Sequence, residues 1–111
     1  MPSNSIKGNM SLILLSALLE GDKYGYEITK EISLLTNDEV QLKEGSLYPA
    51  LHKLEKDGLV ESYWSQQEQG RPGRKYYRIT QKGEKTVEEE RKKWKTFMGT
   101  MGRIIYGEQN S

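Results

Sequence analysis

The spacing of apolar residues in segment 81–106 constrains this fold more than any other feature of the sequence. Intervals of four and three residues alternate along a series of positions in which Arg91 stands among apolar residues: Val87, Trp94, Met98, Met101 and Ile105. Phe97 lies beside this series. This spacing is close to a heptad repeat and predicts one long helix with an apolar seam. The preceding residues form too small a domain to cover that seam, so we predict that these six apolar residues make a homodimer contact.

Two helices are predicted near the start of the chain. Residues 9–19 are apolar on nearly all sides, which is typical of a helix buried by several neighbours. Residues 24–35 carry apolar side chains on one face, as an amphipathic helix does. We expect residues 1–8 to form a flexible arm and residues 107–111 a flexible tail.

A third helix is predicted from the stripe formed by Leu47, Leu51 and Leu54. Gly58 is expected to end it, because glycine adopts the left-handed conformation that follows many helices. Pro49 has no backbone N–H and is tolerated in a first helical turn, so Ser46 is the predicted cap of this helix.

A β-hairpin is predicted next, because two runs rich in aromatic and β-branched residues flank a glycine-rich turn. The turn carries Arg71, Arg74 and Lys75, although the formal net charge of the whole chain is only +1. Binding to a polyanion would therefore be local to this turn and its neighbours. Thr80 is the expected cap of the last helix.

The predicted fold class is mainly α with a small β-hairpin. Helix, helix, helix and hairpin in that order indicate a winged helix-turn-helix, in which the third helix enters the DNA major groove and the hairpin is the wing. We assign residues 9–80 to this DNA-binding domain and residues 81–106 to a C-terminal dimerisation helix.

The outward face of the third helix is the predicted reading surface. Projecting the helix from its buried leucines places hydroxyl, imidazole and ammonium groups on the far side, which suit phosphate oxygens and base edges. Together with Arg71, Arg74 and Lys75 of the wing, the predicted DNA contacts are Ser46, Tyr48, Pro49, His52, Lys53 and Lys56. A winged helix that binds another protein instead of DNA is the alternative.

Composition argues against catalytic and metal sites. The chain has no cysteine and one histidine, His52, so thiolate zinc sites, cysteine nucleophiles and histidine pairs are excluded. We predict no enzyme activity, no cofactor and no metal. The apolar run 12–19 is too short to cross a bilayer and no signal peptide is recognised, so a soluble, cytoplasmic protein without a membrane partner is expected.

Three stretches of the sequence resemble the PadR family of bacterial transcriptional regulators over about residues 10–83: "YGYEITKEI", "GSLYPALHKLEKDGLVESYW" and "GRPGRKYYRITQKG". The resemblance implies a winged helix-turn-helix homodimer that represses promoters by binding an imperfect palindrome, with the C-terminal helix making the dimer. Family members often have Ser-Pro where this chain has Lys43-Glu44. Lys43 is therefore an additional candidate phosphate contact.

The resemblance also implies an effector site. A single helix after Thr80 is similar to the short class of the family, some members of which sense hydrophobic aromatic compounds. Trp94 lies fourteen residues after Thr80, at the offset of a tryptophan that lines a cavity between subunits in a multidrug-sensing relative. The same alignment places Leu12, Ser16 and Met98 at that cavity. Packing in the dimer core is the other interpretation of Trp94.

Overall fold

Five helices and three short strands follow one another along the described part of the chain, residues 3–66 and 70–107 of a computed structural model. In chain order they are α1 (Ser3–Gly8), α2 (Met10–Leu18), β1 (Lys23–Tyr24), α3 (Gly25–Leu35), α4 (Glu44–Lys56), β2 (Val60–Trp64), β3 (Lys75–Ile79) and α5 (Gln81–Tyr106). The predicted fold class, mainly α with a small β element in winged helix-turn-helix order, is confirmed.

The core is built around α2, which packs against α3, α4, β3 and α5. Its side chains Leu14, Leu15 and Leu18 are at most 1% exposed. This explains why residues 9–19 are apolar on nearly all sides. Burying a leucine side chain contributes about 1.5–3 kcal/mol, so the few leucines of α2 are a large part of the stability of so small a domain.

The helix α4 contributes Leu47, Leu51 and Leu54 to the same core, and all three are buried as predicted. At its C-terminus the N–H of Leu59 donates to the carbonyl of Leu54 (2.9 Å) and that of Gly58 donates to Glu55 (3.0 Å). Gly58 has a φ of 76°. These two bonds form a Schellman motif, which confirms Gly58 as the residue that ends α4.

The predicted cap of α4 is wrong. The helix begins at Glu44, and the N–H groups of Ser46 and Leu47 both donate to the carbonyl of Lys43 (2.9 and 2.8 Å). Pro49 consequently lies inside the helix and cannot donate to the carbonyl of Gly45. Gly45 is exposed, so water can replace the missing donor and the helix extends a turn further than proline alone suggests.

The sheet has three strands in the order β1-β3-β2, all antiparallel. The hairpin β2–β3 was predicted, and its register pairs Tyr63 with Tyr76 and Trp64 with Lys75. The strand β1 was not predicted, because two residues are too few to show a period. It pairs Tyr24 with Tyr76 and so attaches the start of α3 to the wing.

Both ends of the chain were expected to be flexible, and the structure describes part of each. Residues 3–8, expected to be part of a flexible arm, form α1. Residues 1–2 and most of the expected tail, 108–111, lie outside the described residues. None of the helices within 3–66 and 70–107 is long and apolar enough to span a membrane.

The last helix begins as predicted, with the Thr80 side chain accepting a hydrogen bond from the N–H of Gly83 (3.1 Å). Gly99 and Gly102 do not interrupt it, and it continues to Tyr106. Near its start Gly83 is buried against the chain segments beside it. A Cβ atom at this position would collide with the Leu59 carbonyl oxygen and lie 2.7 Å from Cγ1 of Ile79.

We expect Gly83→Ala to lower the free energy of unfolding by about 1–3 kcal/mol, because the backbone of Leu59 must move to admit the methyl group. Gly45→Ala is the matched control. Its Cβ atom would meet nothing within 4 Å, so higher helix propensity should leave stability unchanged or raise it by up to about 1 kcal/mol. Urea unfolding followed by circular dichroism at one fixed protein concentration measures both. Equal stability of the two variants would contradict the tight contact at Gly83.

Candidate nucleic-acid interface

The outward face of α4 is polar and accessible. With the three leucines turned into the core, the predicted contacts on and beside this helix are all exposed: Lys43, Ser46, Tyr48, Pro49, His52, Lys53 and Lys56. The acidic side chain of Glu55 is turned to the sheet, where it accepts a hydrogen bond from the Ser62 hydroxyl (2.5 Å). The carboxylate of Glu55 is therefore bound to the sheet and does not lie on the predicted reading surface, where the exposed charged groups include three lysines.

Tyr48 is held more firmly than its neighbours on this face. Its side chain is 43% exposed, and its ring lies so close to Gly25 that a Cβ atom there would collide with the phenol. The first residue of α3 therefore fixes one edge of the ring. The remaining edge is available to a ligand that contacts α4.

The two cations where β3 begins point to opposite faces of the wing. Lys75 shares a face with the buried Tyr77, and its Nζ lies 5.8 Å from the centre of that ring. Arg74 precedes it by one residue, and its guanidinium lies 4.7 Å above the ring of Tyr24 on the other face. Since successive side chains of a strand alternate, adjacent charges cannot share a face. The predicted basic turn is thus two-sided.

The backbone just beyond the β2–β3 ladder is closely held, although the Arg74 side chain beside it is exposed. Ser65 and Arg74 exchange hydrogen bonds: the Ser65 N–H donates to the Arg74 carbonyl and the Arg74 N–H to the Ser65 hydroxyl, each at 2.8 Å. A Cβ atom at Gly73 would collide with the Ser65 carbonyl oxygen. Glycine is therefore required for this close approach. Arg71, in the loop that leads to Arg74, is exposed.

A fourth cation, Arg78, is exposed but forms an ion pair with a carboxylate of its own chain. Its Nε donates to Oδ2 of Asp22 (3.2 Å), and its guanidinium lies 4.8 Å above the ring of Tyr63. The Tyr63 hydroxyl donates to the same carboxylate oxygen (2.6 Å), and this hydrogen bond raises the pKa of Tyr63. Asp22 thus offsets Arg78, while Arg71, Arg74 and Lys75 make no ion pair within the described residues.

A second surface lies along the outer half of α5. Five apolar side chains there are between 36% and 71% exposed: Phe97, Met98, Met101, Ile104 and Ile105. Trp94 is partly buried and packs edge-on against Phe97, with ring centres 5.8 Å apart. Val87, which the spacing places on the same seam, is 1% exposed and lies in the core of its own chain. The seam therefore divides into a buried first part and an exposed second part.

The candidate effector residues do not come together within one chain. Leu12 and Ser16 line a groove of about 260 Å³ between α2 and α3. Trp94 and Met98 lie on α5 and are not part of this lining. Among the described residues, no group of three or more histidine, cysteine or acidic side chains is placed to hold a metal ion.

Two aromatic residues of this region were missed by sequence reasoning. Trp64 is 69% exposed at the end of β2, opposite Lys75. Because alternate residues of a strand share a face, the sequence could have placed Trp64 on the face that carries Val60 and Ser62. Tyr24 was assigned to the apolar stripe of a helix. Its contact with Arg74 depends on the pairing of β1, for which the sequence carries no signal.

Comparisons with known proteins agree with this geometry. Residues 14–89 match the model of the transcriptional regulator PadR-like family. An uncharacterized protein of Lysinibacillus sphaericus is 44% identical over 92 residues, which cover 83% of this chain and 84% of the relative. A transcriptional regulator from Clostridium thermocellum superposes with a TM-score of 0.84 at 36% identity, covering 95% of this chain and 98% of the other. A PadR family transcription regulator from Clostridium difficile superposes with a TM-score of 0.77 at 32% identity, covering 87% of this chain and 98% of the other.

Proposed function

Since the chain belongs to the PadR-like family of transcriptional regulators, we propose that it is a repressor that binds palindromic promoter DNA as a homodimer. The observation that carries this proposal is the exposure of the polar face of α4 together with that of Arg71 and Arg74 on the adjoining wing. Lys75 is half-exposed on the other face of the wing, above the buried Tyr77.

In the proposed complex α4 lies in the major groove. His52 and Lys53 occupy the middle of its exposed face and are the candidates for base edges, with Tyr48 held beside them by Gly25. Lys43 and Lys56 flank the helix at its two ends and suit the phosphates on either side of the groove. Ser46 and Pro49 complete the contact surface.

The wing supplies contacts to the sugar-phosphate backbone. Arg71, Arg74 and Lys75 are positively charged groups that no described carboxylate neutralises. The close backbone approach of Gly73 to Ser65 holds the two chain segments together just beyond the β2–β3 ladder. A protein-binding role for the same domain would favour an apolar exposed patch on α4, whereas its outward face carries His52 and lysines.

The homodimer is proposed from the exposed half of α5. A row of apolar side chains at heptad-like spacing, exposed over about three turns, is covered most simply by the same helix of a second copy. Two α4 helices on one DNA face would then lie about 34 Å apart or a multiple of that distance, which requires a palindromic site. Val87 is omitted from this contact because it is buried in its own chain.

The proposed effector is a hydrophobic, aromatic small molecule bound between subunits. The groove that Leu12 and Ser16 line is mainly apolar, with Ile13 and Ile32 among its walls. Dimerisation through α5 would bring the partner's copy of the Trp94 face near such a groove. The molecule would then release the repressor by changing the spacing of the two α4 helices.

Replacing Arg74 or Lys75 by Ala should weaken binding to all DNA sequences to a similar degree. Because each cation that neutralises a phosphate releases about one counterion, the slope of log affinity against log salt should fall by about one for each substitution. Fluorescence anisotropy with an operator and with random DNA over a salt series measures this. Arg78→Ala is the matched control. It removes one positive charge from the same wing, but the guanidinium it removes is already paired with Asp22. A slope unchanged in the first two variants, or lowered equally in all three, would argue against a contact at the wing.

Introducing a charge on the exposed seam should separate the dimer. Ile105 is 60% exposed in the single chain, so Ile105→Glu should leave the domain folded while placing two carboxylates in the proposed interface. Analytical ultracentrifugation should find a monomer, and operator affinity should fall at equal protein concentration. Arg103→Glu introduces the same residue two positions away, on the opposite side of α5, and should remain dimeric. A dimeric Ile105→Glu variant would place the interface elsewhere.

Fluorescence of Trp94 tests the effector proposal. The chain has two tryptophans, so Trp64→Phe leaves Trp94 as the sole tryptophan, which is excited selectively at a wavelength that tyrosine does not absorb. A planar hydrophobic compound should quench this emission with a stoichiometry near one per dimer and should release DNA. The complementary variant, Trp94→Phe, reports from Trp64 on the wing and should not respond. If a broad panel of such compounds leaves Trp94 emission unchanged, Trp94 is a packing residue only.

A further inference from the structure

The ring of Tyr24 lies at the junction between the wing and the start of α3. Tyr24 is the last residue of β1 and immediately precedes α3, and the ladder pairs it with Tyr76 of the wing. Its ring meets that of Tyr76 edge-on, with centres 5.4 Å apart, and lies nearly parallel to that of Tyr26 at 6.4 Å. The backbone N–H of Tyr24 donates to Glu27 Oε1 (3.2 Å). Tyr24 is therefore fixed by both elements.

Arg74 rests on this fixed ring. Its guanidinium carbon lies 4.7 Å above the ring centre, a distance typical of a cation–π contact. The main chain of Arg74 is held separately by its two hydrogen bonds with Ser65. Both ends of a long side chain are thus held before any ligand binds. Stacking on a ring engages the flat face of a guanidinium and leaves its N–H groups free at the edge.

We propose that Tyr24 is a positioning residue for DNA binding: it holds the Arg74 guanidinium in place beside the start of α3, with its N–H groups free to donate to a backbone phosphate. This inference rests on the proposed DNA-binding function. A side chain that is already ordered loses less conformational freedom when it binds, and binding is tighter for that reason. The contact also joins the start of β3 to the start of α3, so wing and helices would approach the DNA as one unit.

A second arginine, Arg78, also stacks on a tyrosine on the same face of the sheet, and comparing the two explains why the role falls to Arg74. Arg78 lies above Tyr63 at nearly the same distance, 4.8 Å. There the carboxylate of Asp22 binds both the guanidinium and the tyrosine hydroxyl. Arg78 is consequently engaged, while Arg74 has an aromatic support and no carboxylate partner within the described residues.

The test is a double-mutant cycle in operator-binding titrations of the full chain over a salt series. Tyr24→Leu should weaken binding about two- to fivefold, the worth of a solvent-exposed cation–π contact. The salt slope should remain that of wild type, because the charge of Arg74 is retained. Tyr24→Phe keeps the ring and should bind as wild type does. In an Arg74→Ala background, Tyr24→Leu should have no further effect.

Tyr63→Leu is the matched control, since it removes the ring beneath an arginine that Asp22 holds, and it should leave affinity unchanged. Mobility in the free protein is a second readout: ¹⁵Nε relaxation of Arg74 should report faster motion in Tyr24→Leu and not in Tyr63→Leu. If Tyr24→Leu does not fold, Tyr24→Met, which also lacks the ring, replaces it in both measurements.

An equal loss from Tyr24→Leu in both backgrounds would make Tyr24 a structural residue and overturn the inference. Weak binding by Tyr24→Phe, or unchanged Arg74 mobility in Tyr24→Leu, would overturn it as well. Failure of the proposed function is seen separately, in the wild-type protein: no salt-dependent binding to any DNA would remove both proposals at once.

Discussion

The shared burial of the leucines of α2 and α4 is the interaction on which the rest of the structure depends. The two helices meet in one core in which Leu14, Leu18, Leu47 and Leu51 are at most 1% exposed. Once the stripe of α4 is committed to that core, its opposite face must point to solvent. The proposed reading surface is therefore a consequence of packing: the leucines that α4 buries in the core determine which of its side chains remain exposed for the proposed contact with DNA.

The same core accounts for the division of α5 into two parts. Val87 is the last residue of α5 that is buried in its own chain, and the apolar side chains from Phe97 onward are exposed. The molecule is accordingly elongated, with principal extents of 60 × 30 × 24 Å. An exposed apolar row on a helix that projects from a small domain is costly in water, and this cost is the physical basis of the proposed dimer.

Periodic features were predictable from the sequence, and features that depend on a few residues were not. The leucine stripe of α4, the glycine at its end and the threonine cap of α5 each have a local chemical cause, and each prediction is confirmed. The start of α4 was misjudged because exposure of Gly45 allows Pro49 inside the helix. The strand β1 is too short to carry a period, so its pairing, and with it the contact of Tyr24 with Arg74, appears only in the structure.

The candidate site shows the same limit, since a count of cations does not state where each one points. Arg74 and Lys75 are adjacent in sequence and lie on opposite faces of the wing. If the wing lay flat on the duplex, one of these two charges would face away from the phosphates. In the proposed complex, a ribbon that meets the DNA edge-on would present both cations to the backbone, one from each face. The close approach of Gly73 to the Ser65 carbonyl oxygen holds the two chain segments together just beyond the ladder, beside both cations. This close pairing is what sets one cation on each face of a thin ribbon.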